Sequence, residues 1–183
     1  MACLPMTPVG SYVLKASGTF SAVSTSALLQ YYPLKNSVVT LSNVAQGENQ
    51  PVEIVQVRVR ETATAGNDKK KGMILYFYTD AAPTTPTLAA VYDAPTTNLV
   101  AVCSIASADY KRVRSGADEV WDAIVIPSRD ADACTSFFVT GTTATATNLY
   151  CVAVADEAVT YVGTTDVTVE VVTRMNYGAS TLA

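Results

Sequence analysis

The chain has 183 residues and a mass of 19.3 kDa, enough for one compact domain with a substantial hydrophobic core. Only 15% of its residues are charged, 49% are hydrophobic, and it contains 25 Val and 24 Thr. This composition is typical of β-strands, because β-branched side chains pack well on a pleated sheet. The absence of His excludes catalysis by an imidazole base and most transition-metal sites. The net charge of −4 argues against a nucleic-acid-binding protein, whose affinity comes mainly from neutralising phosphates.

The N-terminal sequence Met1–Pro8 has neither a basic region nor a continuous apolar run, and no stretch approaches the roughly 18 apolar residues of a membrane span. We therefore expect a protein made in the cytoplasm, with no membrane partner. The four cysteines follow no metal-binding spacing, and thiols in a reducing compartment are the first interpretation. The alternative interpretation is one disulfide between two of the last three cysteines. The cysteines are Cys3, Cys103, Cys134 and Cys151.

The chain divides by pattern into two parts. Residues 1–35 have weak periodicity and contain Pro5, Pro8 and Pro33, which predicts an N-terminal arm or a loosely strand-forming segment. Residues 36–183 are predicted to form a single β-sandwich domain, because short apolar runs and polar turns alternate through them.

The clearest strand in the first half of this domain is Val52–Arg60. Val55, Val57 and Val59 point one way in it and the residues between them point the other, the period of a half-buried strand. A polar stretch follows, after which Met73–Thr79 is predicted to be a strand with two largely apolar faces. We expect these two strands to form a hairpin with a long solvated tip.

Strand-like segments continue to the end of the chain. One helical turn is expected from Ser107, which is a fair N-cap, with Asp109 in the first turn. Seven to nine short strands separated by polar turns predict an all-β fold, a jelly-roll-like β-sandwich with an extended N-terminal arm. The other predicted strands are Ser37–Ser42, Glu119–Pro127, Ser136–Thr140, Leu149–Ala155, Val159–Val162 and Asp166–Val172.

No catalytic, cofactor-binding or metal-binding residue is predicted. Acid–base catalysis needs carboxylates held across a cleft, and the candidate groups are interpreted as solvated or as turns. A calcium loop would need more oxygen ligands than follow Asp130 and Asp132. A nucleophilic Ser or Cys would lack its usual imidazole base. The candidate carboxylates are Asp118, Glu119, Asp122, Asp130, Asp132, Asp156 and Glu157.

Aromatic side chains offer one further type of site. Ten Tyr against four Phe and one Trp favour surfaces that keep one ring edge in water. These residues line either a carbohydrate- or protein-binding face or the core, and the core is the simpler interpretation. They are Tyr31, Tyr32, Tyr76, Phe77, Tyr78, Phe137, Phe138 and Tyr150.

Four segments carry a family resemblance. Ile74–Thr84 is an apolar strand that ends in an Asp and a Pro-Thr turn, and Val102–Tyr110 contains a short Ser-Ala-Asp segment. Leu149–Val154 and Tyr161–Val169 contain Leu-Tyr-Cys-Val and Asp-Val-Thr-Val strands. In order and spacing, these segments resemble the capsid decoration or cement proteins of tailed bacteriophages, and the span from Ile74 to Val169 that contains them is somewhat over half of the chain.

The resemblance implies a non-enzymatic β-domain that binds the outside of a phage capsid shell and stabilises its lattice, as a homotrimer at threefold or quasi-threefold positions. Its partners would be the major capsid protein of the same virion and its own copies, with no cofactor, and its location would be the capsid surface. We expect residues 1–35 and Asn176–Ala183 to reach a neighbouring subunit. Removal of residues 1–20 should then release the protein from particles.

Three alternatives belong to other classes. The chain could be another virion component, such as a neck, tail or receptor- or glycan-binding accessory domain, which glycan binding would reveal. It could be a self-assembling jelly-roll coat protein, which should form closed shells alone. A small carboxylate-based glycan hydrolase would depend on Asp130 and Asp132, so replacement of both by Asn tests it.

Overall fold

The computed structural model describes residues 11–47, 49–64, 70–115, 118–127, 137–140, 147–161 and 165–176. They contain ten strands and one turn of 3-10 helix. No helix among them is long and apolar enough to cross a membrane. The strands are β1 (Ser11–Phe20), β2 (Val39–Leu41), β3 (Pro51–Thr64), β4 (Met73–Tyr78), β5 (Leu99–Ile105), β6 (Lys111–Arg114), β7 (Asp118–Val125), β8 (Phe137–Val139), β9 (Leu149–Ala155) and β10 (Thr165–Asn176); the helical turn is Ser107–Asp109.

The strands form two antiparallel sheets. The six-stranded sheet has the order β1-β10-β3-β7-β6, with β8 paired to the first residues of β3, and the four-stranded sheet has the order β2-β9-β4-β5. Without β6 and β8, the orders β1-β10-β3-β7 and β2-β9-β4-β5 are those of an eight-stranded jelly roll. The prediction of an all-β, jelly-roll-like sandwich is therefore confirmed.

The core lies between the two sheets and follows from strand alternation. In β10, Val167, Val169 and Val171 are buried while the residues between them face outward. Cys103 and Cys151 are buried in the four-stranded sheet as thiols, and burial raises the pKa of Cys151 well above its usual range. They behave as small apolar core residues. Cys3 and Cys134 lie outside the described residues.

Residues 1–35 were predicted to be either an arm or a loosely strand-forming segment. Residues 11–20 form a strand, β1. β1 pairs with β10 along its whole length, from Ser11 opposite Asn176 to Phe20 opposite Val167. Leu28 and Leu34 are also buried in the core. Residues 11–35 are thus part of the sandwich, and residues 1–10 lie outside the described residues.

Gly18 allows β1 to approach β2 closely at the corner where the two sheets meet. A Cβ atom there would clash with Val39 Cγ1 and would lie 3.2 Å from the carbonyl oxygen of Thr40. We expect Gly18→Ala to lower the free energy of unfolding by about 1–3 kcal/mol, because the added methyl group overpacks this corner. Urea unfolding would measure it. Adding Val39→Ala should restore part of the loss.

Ser17 provides the matched control for Gly18, since it is the neighbouring residue on the exposed face of β1. Ser17→Ala should change stability by no more than about 0.5 kcal/mol. If Gly18→Ala were as stable as the unchanged chain, the two sheets would be able to separate here without cost.

The predicted hairpin between β3 and β4 is wrong. β3 pairs with β10, β7 and β8, whereas β4 pairs with β5 and β9, so the intervening chain crosses from one sheet to the other. A polar connection between two strands suits either arrangement, and here each strand finds its partners at larger sequence separation.

Three smaller differences concern individual elements. Val55 does not share the buried face of Val57 and Val59, because the β3–β10 register shifts there and leaves Val55 as an extra residue. The helical turn is present, but Ala106 occupies its N-cap, with its N–H donating to Asp109 Oδ2 at 2.9 Å. Val159 forms a single bridge with Leu28 rather than part of a strand.

Candidate interaction surfaces

The outer face of the six-stranded sheet carries paired charges across four of its strands, and we call it the ionic face. At its centre, Asp122 of β7 accepts hydrogen bonds from Arg58 and Arg60 of β3. The Arg60 Nε to Asp122 Oδ1 distance is 2.8 Å and the Arg58 Nε to Asp122 Oδ2 distance is 3.1 Å. The register makes this possible, because Arg60 lies directly opposite Asp122.

Further ion pairs extend the ionic face on both sides. Lys15 of β1 contacts Glu170 of β10 at 2.7 Å, and Arg174 contacts Glu53 at 2.6 Å. The depression beside Arg58 and Glu170 has a volume of only about 30 Å³, the space of one water molecule. The ionic face is therefore suited to contact with another surface, since this depression is too small for a substrate.

Electrostatics hold Asp122 ionised. Burial raises its pKa, but the hydrogen bonds from Arg60 and Arg58 lower it by more, so the net shift is downward. The hydrogen bond with Asp122 correspondingly raises the pKa of Arg60. Two arginines that donate to one carboxylate hold the neighbouring strands in register and keep the carboxylate ionised.

The outer face of the four-stranded sheet is apolar and is covered by the chain itself. Tyr76 and Tyr78 of β4 lie on this face, and Tyr92 from the β4–β5 connection packs over them. The Tyr78 and Tyr92 hydroxyls are 3.0 Å apart, and the Tyr76 and Tyr92 rings pack edge to face at 5.6 Å. Burial raises the pKa of all three tyrosines, so their hydroxyls stay protonated. These tyrosines serve mainly to pack the connection onto the sheet.

Beside this cover lies an exposed group of large apolar side chains, Leu29, Tyr31 and Val91, which we call the apolar patch. They are 56%, 42% and 62% exposed. The Tyr92 N–H donates to the Tyr31 carbonyl oxygen at 2.9 Å, which joins the two segments of the patch. Residues 84–87 and 90–93 line a shallow depression of about 280 Å³ next to it.

β6 forms one edge of the six-stranded sheet and is basic. Its four residues, Lys111, Arg112, Val113 and Arg114, are all exposed. Positive charges on a short edge strand discourage unspecific pairing with other chains, which is their simplest role.

The carboxylates considered for catalysis do not converge in the described part of the chain. Glu119 and Asp122 lie on opposite faces of β7, where Glu119 Oε2 accepts a hydrogen bond from Trp121 Nε1 at 3.2 Å. Glu157 follows β9 in a bend, and its Oε1 accepts the Gly72 N–H at 3.3 Å, as expected for a turn. Asp130 and Asp132 lie outside the described residues. No group of three or more His, Cys, Asp or Glu among the described residues could hold a metal ion.

One buried charged residue was missed by the sequence analysis. Glu61, in β3, faces inward in phase with Val57 and Val59 and is fully buried. Its Oε2 accepts the Lys70 N–H at 2.9 Å. The signal was present in the sequence, since the period of two that places Val57 and Val59 inside also places Glu61 there.

Comparisons with known proteins found solved structures only. No model of a known protein family matches the chain, and no curated protein matches it. The chain is similar to a structure of Desmodium yellow mottle tymovirus (TM-score 0.35, 11% identity, 99% of this chain and 97% of that chain). It is also similar to a chain of the cyanophage Pam1 capsid asymmetric unit (0.34, 16%, 96% and 93%) and to one of Cocksfoot mottle virus (0.34, 10%, 93% and 97%). All three are structures of viruses or of a viral capsid. At these TM-scores the likeness carries no argument about mechanism.

Proposed function

We propose that this chain is a non-enzymatic structural protein of a virion. The observation that carries the proposal is the jelly roll around an apolar core, in which Glu61 and Asp122 are the only buried charged residues among those described. Asp122 is held in ion pairs with Arg58 and Arg60, and Glu157 accepts the Gly72 N–H. The described surface presents an ionic face, an apolar patch and a basic edge, which are features for contact with other protein surfaces.

The finer proposal is a decoration or cement protein on the outside of a capsid shell. The resemblance of Ile74–Thr84 and Leu149–Val154 to that family supports it. A homotrimer at a threefold position would gain avidity from three copies of each weak contact, without any strong single site. Its partners would be the major capsid protein and its own copies. The net charge of −4 and the ion-paired arginines give nucleic acid little to bind.

Binding to purified shells tests the decoration role. Shells that lack the protein are mixed with the purified chain and sedimented, and the protein-to-shell ratio is measured. We expect saturable co-sedimentation and a raised disassembly temperature of the shell. Absence of binding at micromolar concentrations, together with binding on a glycan array, would instead favour a neck, tail or receptor-binding accessory domain.

Terminal truncation tests how the protein attaches. Because Ser11 lies opposite Asn176, segments 1–10 and 177–183 both depart from the same end of the β1–β10 pair, which suits a shared contact with a neighbouring subunit. We expect removal of residues 1–10 to release the protein from shells while its unfolding transition is retained. Removal of residues 1–20 would also delete β1, so it cannot separate attachment from folding. Full occupancy after removal of residues 1–10 would contradict the attachment proposal.

A self-assembling coat protein is the second candidate, and the jelly-roll strand order favours it. Light scattering behind a sizing column, with and without reductant, distinguishes the two. A mass near three chains supports a preassembled trimer, and closed shells formed by the chain alone support a coat protein. A mass of one chain would contradict a preassembled trimer.

A further inference from the structure

Glu61 lies where β3 leaves the six-stranded sheet and the chain crosses to β4. The crossing ends at Lys70–Gly72, which we call the link. Three hydrogen bonds fix the link to the sandwich. The Lys70 N–H donates to Glu61 Oε2 at 2.9 Å, the Asp156 N–H donates to the Gly72 carbonyl oxygen at 3.0 Å, and the Gly72 N–H donates to Glu157 Oε1 at 3.3 Å. The carboxyl group of Glu61 is thus a buried anchor between the two sheets.

The surroundings of Glu61 hold unused hydrogen-bonding capacity. Among the described residues, Glu61 Oε1 and the Thr165 hydroxyl are buried and have no hydrogen-bond partner. An ionised carboxylate can only accept hydrogen bonds, whereas a neutral carboxyl group also has a proton to donate. A buried ionised group is costly unless it is fully paired. The neutral form therefore suits this environment better, because Glu61 Oε1 is buried without a hydrogen-bond partner.

Charged groups around Glu61 do not remove this preference. Burial raises the pKa of Glu61 to about 7, against the opposing effects of the Lys70 N–H, the Tyr110 hydroxyl and the Lys71 N–H and charge. β10 presents Thr165 and Val167 to this space, and its Asp166 faces outward. The titratable or charged groups at this end of the sandwich are Lys70 and Lys71 of the link, Asp109 and Tyr110 beside the helical turn, Arg112 of β6, Glu119 of β7, Asp156 and Glu157 after β9, and Tyr161.

We propose that Glu61 is a proton-operated latch, which in its neutral form holds the link against the end of the sandwich and on ionisation loosens it. The direction follows from linkage. A carboxyl group with a pKa of about 7 when buried and an ordinary value when solvated binds its proton more tightly in the closed state. The latch is fully closed below the ordinary carboxyl pKa and weakens as pH rises toward and past 7. The limiting change in the open-to-closed ratio is about 300-fold.

Trp121 reports directly on the latch, because it is the only Trp and lies opposite Glu61 in the sheet. The Lys70 Nζ is 4.8 Å from the centroid of its ring, and Lys70 is the residue whose N–H binds Glu61. Arg112 lies 5.8 Å from the same ring centroid. Movement of the link removes a cation from the indole ring and changes its fluorescence.

The experiment follows Trp121 fluorescence and the hydrogen-exchange protection of the Lys70 N–H between about pH 5 and pH 9, on the full chain. We expect one transition near pH 7, with Lys70 protected on the acidic side after correction for intrinsic exchange. Glu61→Gln keeps the shape and a donor but cannot ionise, so it should abolish the transition and leave Lys70 protected throughout. Glu53→Gln, which replaces a carboxylate on the opposite face of β3, should keep the transition near pH 7.

Two results would overturn the latch: a transition that persists in Glu61→Gln, or no change of either signal in the unchanged chain. If Glu61→Gln failed to fold, the titration of the Glu61 carboxyl carbon by NMR in the unchanged chain would decide. A midpoint below about pH 5.5 there would also overturn it. The latch is a property of the isolated chain, so these outcomes do not depend on the proposed virion role.

Discussion

Replacing Phe20 with alanine is expected to lower the free energy of unfolding by about 3–5 kcal/mol. Phe20 is the last residue of β1 and is 1% exposed in the core between the sheets. Truncation removes its contacts and leaves a cavity that a close-packed core fills only in part. Urea unfolding followed by far-UV circular dichroism and by Trp121 fluorescence would measure the loss.

Val13 supplies the control on the same strand. It lies on the opposite face of β1 and is largely exposed, so Val13→Ala should change stability by no more than about 0.5 kcal/mol. A loss below about 1 kcal/mol for Phe20→Ala would mean that β1 behaves as a detachable arm. It would then be removable without loss of the rest of the fold.

Replacing Asp122 with alanine should cost about 2–3 kcal/mol, because it leaves Arg58 and Arg60 together without their shared partner. Both arginines keep some contact with water, which holds the loss below that of a fully buried pair. Since the pKa of Asp122 is lowered in the folded chain, its contribution is present above the ordinary carboxyl pKa and is lost as pH falls below it.

The difference between the Asp122→Ala variant and the unchanged chain should therefore shrink as pH falls from about 6 to about 3. Thermal unfolding at several pH values would show this. Asp93→Ala removes an exposed carboxylate from the β4–β5 connection and should have little effect at any pH. An equal loss in both variants would mean that net charge, rather than the arginine contacts, governs stability.

Strands with regular alternation were predictable because burial on one face leaves its mark in the sequence. β10 shows this in Val167, Val169 and Val171, and β9 was predicted at its observed bounds. β1 was harder to recognise for a physical reason. Its inward residues include the small Ala16 and Gly18, and Gly18 must be small where β1 meets β2, so the hydrophobic signal is weak where the packing is tight.

Partners distant in the chain were not predictable from pattern. The β3–β4 hairpin was wrong because pairing depends on which strand completes a sheet, and local sequence does not encode that choice. β5 was missed, since apolar residues occupy both of its faces and leave no alternation to recognise. The contact of Tyr92 with Tyr78 depends on how the β4–β5 connection folds back. Asp122 could be placed on the outer face of its strand, but its two arginine partners required the β3–β7 register.

The position of β10 has a consequence for biosynthesis. Among the strands that the structure describes, this last one lies between β1 and β3, the first and third, and no other joins those two. A nascent chain that has not yet reached Thr165 therefore leaves β1 without a strand partner and β3 with one unpaired edge, and such edges invite pairing with other chains. The sheet can close only after β10 leaves the ribosome. Pairings over such long sequence separations also make folding slow.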